Sequence, residues 1–206
     1  MKQTEQTKYI SFKGELLRKS THFFAFAIPG SFYFLEIDRS LFLSILFPFT
    51  AFMIMIEVAR LRGWRFWTLI KNLNEPFLRK SEIDGHNFSG ATYILLTACA
   101  AALLFSKPVF LMCMSFIIFG DISAALIGRK FGKHKYRNKS LEGSLAFLVT
   151  CLIVGGLLPG LPYMVMIVGA VVATITEFLS FEIDDNTSVP LISGLAMTLL
   201  LKLFVF

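Results

Sequence analysis

Seven apolar runs alternate with polar segments along the chain, at 21–37, 41–57, 90–106, 108–127, 143–159, 161–180 and 188–206. Each is near the roughly 20 residues that an α-helix needs to cross a bilayer. The pattern predicts an all-α fold, a polytopic membrane helix bundle of about seven transmembrane helices. The first and third runs are short, and Pro29-Gly30 is expected to kink the first. Residues 58–89 form the longest polar stretch. Trp64, Phe66, Trp67, Leu69, Ile70, Leu73 and Phe77 are interspersed there with basic residues. That mixture predicts an additional helix lying in the cytoplasmic interface, with its aromatic rings at headgroup depth.

Composition agrees with this reading. The 206 residues are 55% hydrophobic, and 23 of them are phenylalanine. Mean hydropathy is +0.68, too apolar for a soluble domain whose single core would have to hide that surface. The first run follows about 20 polar residues and lacks a small-residue cleavage site, so it is expected to remain in the mature protein. With no repeat in view, one membrane-embedded domain over residues 1–206 is expected. Cys99, Cys113 and Cys151 lie inside apolar runs without a CxxC partner, and read as packing residues.

Charge then sets the orientation. With a cytoplasmic N-terminus, 17 of the 20 Lys and Arg residues fall on the inner side, leaving only Arg39, Lys107 and Lys202 elsewhere. This matches the positive-inside rule. The net charge of +6 therefore reflects topology and anionic lipid, and no nucleic-acid partner is implied. An integral multi-pass protein of the cell (inner) membrane is expected.

Ionisable residues at the ends of apolar spans are expensive, so each cluster of them is a functional candidate. Four clusters fall on the inner side. Glu15, Arg18, Lys19 and His22 share one helix face. Glu57 and Arg60 stand three apart and read as a structural ion pair. Asp121 heads a face of small residues, Ala124, Ala125 and Gly128, continued by Gly132. Such spacing packs helices tightly and also admits a phosphate close to the backbone. Packing does not explain Asp121, whereas a divalent ion or a positive partner does. Lys139 and Ser140 follow at the start of the next span, with Ser140 the expected N-cap and Lys139 beside a helix N-terminus suited to anions. The fourth cluster is Glu177, Glu182, Asp184, Asp185 and Asn186, oxygen ligands that suit Mg²⁺ or Ca²⁺, or an Asx turn capping the last span. Basic groups for a polyphosphate, carboxylates for a metal and apolar walls for a lipid are the parts that phosphoryl transfer needs.

The stretch GDISAALIGRKFGKHKYRNKSLEG, residues 120–143, resembles the central block of the CTP-dependent polyprenol kinases: dolichol kinase, phytol kinase and CTP-dependent diacylglycerol kinase. Asp121, Ala124, Gly128, Gly132, Lys139, Ser140, Glu142 and Gly143 fill its D-x-x-A-x-x-x-G-x-x-x-G and K-S-x-E-G pattern. ELLRKSTH, with Glu15, Arg18, Lys19 and His22, resembles the family's N-terminal block, and SGATY and EFLSFEIDDNTSVP resemble two more. The resemblance implies phosphoryl transfer from CTP, with a divalent ion (Mg²⁺ or Ca²⁺), to a membrane lipid alcohol. It implies catalytic roles for Arg18, Lys19, Asp121, Glu177 and Asp185, with metal at Asp121 or Asp185. It implies nucleotide binding by Gly128, Gly132, Lys139, Ser140, Glu142 and Gly143. Glu177 and Asp185 are candidates for metal binding or for accepting the alcohol proton.

Two other readings compete. The family is remotely similar to the CDP-diacylglycerol synthases, which makes a phosphatidate cytidylyltransferase the alternative. The chain lacks the H-G-G-x-x-D-R type ending expected there. A transporter would place charges at mid-span, often within inverted repeats, and neither is visible. No P-loop or protein-kinase motif occurs. The sequence chooses neither the alcohol, among phytol, other prenols, polyprenol and diacylglycerol, nor the oligomeric state.

Overall fold

The computed structural model describes residues 22–65, 67, 88–179 and 183–204. Seven helices follow in order among them: α1 Ala27–Phe34, α2 Arg39–Leu61, α3 Gly90–Leu104, α4 Lys107–Phe131, α5 Leu141–Leu157, α6 Tyr163–Leu179 and α7 Asp185–Phe204. Between α4 and α5 lies a small antiparallel hairpin, β1 Lys135–Tyr136 and β2 Lys139–Ser140. By length and composition α2, α4 and α7 are able to cross a membrane. The others are shorter: α3 has 15 residues, α5 and α6 have 17 each, and α1 has 8. The all-helical bundle matches expectation, but only three of the seven described helices reach full span length.

The break in the first apolar run has a local cause. A short helical turn at 22–24 gives way to a turn at 25–26 before α1 begins. A proline ring collides with the carbonyl four residues before it. For Pro29 that carbonyl belongs to Ala25, so the chain breaks there, ahead of the proline rather than at it. Pro29 itself sits in the first turn of α1, where its missing N–H costs little.

α4 forms the centre. Every residue from Val109 to Ile118 is buried, as for a helix surrounded by others. α5 packs most extensively on it, and α1, α7 and α6 add further cover. Successive helices from α2 onward run alternately up and down, which gives the bundle two polar ends. At one end Arg39 donates to the Phe105 carbonyl at 2.8 Å, and Lys107 donates to the Ile37 carbonyl at 2.6 Å. Both cations satisfy carbonyls left over at chain turns.

The other end collects the expected candidates. Glu57 and Arg60 pair at 2.7 Å, as the spacing suggested. The second Glu57 oxygen accepts from the Ser89 N–H at 3.2 Å, so this ion pair also caps α3. α2 ends in a Schellman turn. Gly63, at φ 63°, supplies the left-handed residue, and the Trp64 N–H returns to the Ala59 carbonyl at 2.9 Å. Most of the expected interfacial helix, residue 66 and residues 68–87, lies outside the described residues.

Candidate functional site

The contact of α4 with α5 is built from glycines. A Cβ on Gly143 would stand 2.9 Å from the Ala124 carbonyl and 3.2 Å from the Gly128 Cα. One on Gly132 would stand 2.8 Å from the Ser140 hydroxyl and nearer still to the Gly128 carbonyl. The end of α4 and the start of α5 therefore approach at backbone distance. Ser140 is the N-cap of α5, and its hydroxyl accepts from the Gly143 N–H at 3.1 Å. The small-residue face thus packs the two helices, and Gly128, Gly132 and Gly143 also line the cavity that opens beside them.

The hairpin roofs this cavity. Its two-residue loop carries Arg137 at φ 52°. Tyr136 stacks on Phe178 near the end of α6, with ring centroids 5.2 Å apart, and Arg137 donates to the Leu179 carbonyl at 3.3 Å. These contacts fasten the basic segment over α6. Its short strands are not legible in the apolar pattern, where the segment reads as a loop.

The cavity holds about 590 Å³. It is lined by Asp121, Ala124, Ala125, Gly128, Arg129, Gly132, Lys135, Arg137, Asn138, Lys139, Ser140, Gly143, Ser144 and Glu177. Four basic side chains thus face two carboxylates. Asp121 lies ten residues before the end of α4. At 1.5 Å per residue it is about 15 Å below that end, so the cavity penetrates the bundle.

Lys139 is the hub. Its Nζ lies 2.6 Å from Glu177 Oε1 and 2.7 Å from Asp185 Oδ2. Ser144 Oγ donates to the other Glu177 oxygen at 2.9 Å. Glu177 is 2% exposed, Lys139 18% and Asp185 25%. Burial pushes the Lys139 ammonium down, but the charges of Asp185, Glu177 and Asp121 outweigh it and hold it above the usual lysine value. The buried charges are therefore paired, as their burial requires. Deeper in, Asp121 Oδ2 lies 3.7 Å from His22 Nδ1. The N-terminal block thus reaches the cavity through its last member.

The expected site residues divide accordingly. Asp121, Gly128, Gly132, Lys139, Ser140, Gly143 and Glu177 line one cavity, with Asp185 joined to it through Lys139. Glu142 does not line it. Its carboxylate accepts from the His134 N–H at 3.2 Å and meets the His134 ring at 2.8 Å, which fastens the loop ahead of the hairpin. Asp184 caps α7, its Oδ1 accepting from the Asn186 N–H at 3.0 Å. Glu15, Arg18, Lys19 and Glu182 lie outside the described residues. Ser144 was not anticipated. Its signal was its place one helical turn after Ser140.

A preformed metal centre does not emerge. Among the described residues no three His, Cys, Asp or Glu side chains converge tightly enough to hold an ion. Glu177 and Asp185 spend an oxygen each on Lys139. Among the described residues the side chains do not fit the implied divalent ion.

Curated relatives share this sequence over most of its length. A CTP-dependent diacylglycerol kinase of Saccharomyces cerevisiae is 30% identical across 75% of the chain, and the chain spans 63% of that relative's length. A CTP-dependent diacylglycerol kinase of Schizosaccharomyces pombe is 25% identical over 92% of the chain and 94% of its own. An uncharacterized protein of Rickettsia prowazekii is 27% identical over 91% of the chain and 95% of its own. No family model matches, and no solved structure matches. The chain is thus similar to proteins named CTP-dependent diacylglycerol kinase, the class its motifs resemble.

Proposed function

We propose that this protein is a membrane-embedded kinase that transfers the γ-phosphoryl group of CTP to the hydroxyl of a lipid alcohol. One observation carries the reading: the cavity lined by Asp121, the glycines and Lys139 lies where a basic hairpin covers the polar end of an apolar bundle. A triphosphate needs the cations, and a lipid hydroxyl needs a cavity that reaches into the bundle. In-line transfer depends mainly on positioning and on stabilising charge.

The roles follow from what each group touches. Arg129, Lys135 and Arg137 face the cavity and compensate phosphate charge, together with Arg18 and Lys19 of the N-terminal block. Both Glu177 oxygens are engaged, so Glu177 positions Lys139. Asp185 is more exposed and uses one oxygen on Lys139, which makes it the better acceptor for the alcohol proton. The proton leaves the hydroxyl as its oxygen bonds to the γ-phosphorus, and the bond to the departing CDP breaks.

The named relatives favour diacylglycerol over phytol or a polyprenol as the alcohol. Short helices accompany the three long ones as membrane elements, giving about seven crossings, and the cavity end faces the cytoplasm of the cell (inner) membrane. Purified protein offered γ-labelled CTP with equal amounts of diacylglycerol, phytol and polyprenol tests the substrate. Labelled phosphatidate is expected. A labelled prenyl phosphate instead would reassign the alcohol.

A further inference from the structure

Glu177 and Asp185 read from sequence as candidates for metal binding or for accepting the alcohol proton, yet the structure puts an ammonium between the two carboxylates. We propose that Lys139 is the resident cation of the cavity, filling the position between Glu177 and Asp185 so that the protein without nucleotide takes up no divalent ion there. This rests on the kinase reading above for the identity of the cavity, but not for its chemistry.

The geometry supports it in three ways. The two oxygens lie 2.6 and 2.7 Å from one nitrogen, the separation of charge-assisted hydrogen bonds. A Mg²⁺ ion needs oxygens at about 2.0–2.1 Å in a near-octahedral set. Each oxygen would have to move inward by about half an ångström, and the lysine would have to leave. Glu177 is 2% exposed and tied by Ser144, so it resists that movement. Lys139 also already serves both carboxylates at once, so an incoming ion would have to displace two charge-assisted hydrogen bonds.

Removing the amine should change this. Lys139→Ala leaves two carboxylates facing a vacated position, with Asp185 in the first turn of α7 and exposed enough to adjust. The test uses the full chain in detergent at pH 8, without nucleotide, and Mn²⁺ as the probe, with free Mn²⁺ read by its paramagnetic resonance. The parent should show no Mn²⁺ binding that is sensitive to Asp185→Asn. Lys139→Ala should gain a site at least tenfold tighter than anything in the parent, lost again in Lys139→Ala/Asp185→Asn. A parent site abolished by Asp185→Asn would overturn the proposal, and so would Lys139→Ala that folds and gains nothing. If Lys139→Ala does not fold, the comparison of the parent with Asp185→Asn still decides it. None of these readings involves CTP or turnover, so they leave the kinase reading to be judged by label transfer.

Discussion

Glu177 gives one oxygen to Lys139 and the other to Ser144 while almost fully buried. Deleting one partner of a buried ion pair costs about 3–5 kcal/mol, because the other charge is left without compensation. Lys139 keeps Asp185 and some contact with solvent, so Glu177→Ala is expected to cost about 2–3 kcal/mol, at or below the foot of that range. Ser144→Ala removes a single hydroxyl donor and is expected to cost about 1–2 kcal/mol. Thermal unfolding in detergent measures both. A further loss of activity when Glu177→Gln is added to Lys139→Ala would mark Glu177 as a group that acts on substrate and not through Lys139. Lys139, Glu177 and Asp185 each stood out in the sequence as charges at span ends. Their convergence did not, since 38 and 46 residues separate Lys139 from its two partners. Ser144 was harder to see, because a hydroxyl inside an apolar run more often bonds back to its own helix.

Between elements, the glycine contact of α4 with α5 fixes the shape of the cavity. Gly143→Ala would put a methyl group against the Ala124 carbonyl, and overpacking of this kind costs about 1–3 kcal/mol. The helices would separate, so activity should fall with stability. Gly156 lies in the same helix with nothing within 4 Å of its missing Cβ. Gly156→Ala should be neutral or stabilising by up to about 1 kcal/mol. Equal effects of the two substitutions on melting temperature would contradict the close approach. The helices were legible from apolar runs because burial and membrane contact both select for such residues. The hairpin was not, because two-residue strands carry no period and are held by what surrounds them. Tyr136 on Phe178 and Arg137 on the Leu179 carbonyl do that holding, and neither pairing shows in the linear order.

Across the whole molecule, the alternation of helices gathers the cavity-lining residues at one end and leaves Arg39 and Lys107 to satisfy carbonyls at the other. The proposed orientation, drawn from the distribution of basic residues, puts the first end in the cytoplasm. Lys135→Cys, on the exposed hairpin, should react with a membrane-impermeant maleimide in inside-out vesicles and not in right-side-out ones. Cys99, Cys113 and Cys151 are buried, so background labelling should be low. Labelling only in right-side-out vesicles would reverse the orientation. The measurement closest to the central claim follows the fate of the nucleotide itself. Purified protein, Mg²⁺, diacylglycerol and phosphatidate are incubated in parallel with CTP labelled at the γ-phosphorus and CTP labelled at the α-phosphorus, in a single turnover. The kinase account predicts that the γ label appears in lipid while the α label leaves as CDP. Transfer of the α label into lipid, with pyrophosphate released, would contradict it and make the protein a cytidylyltransferase.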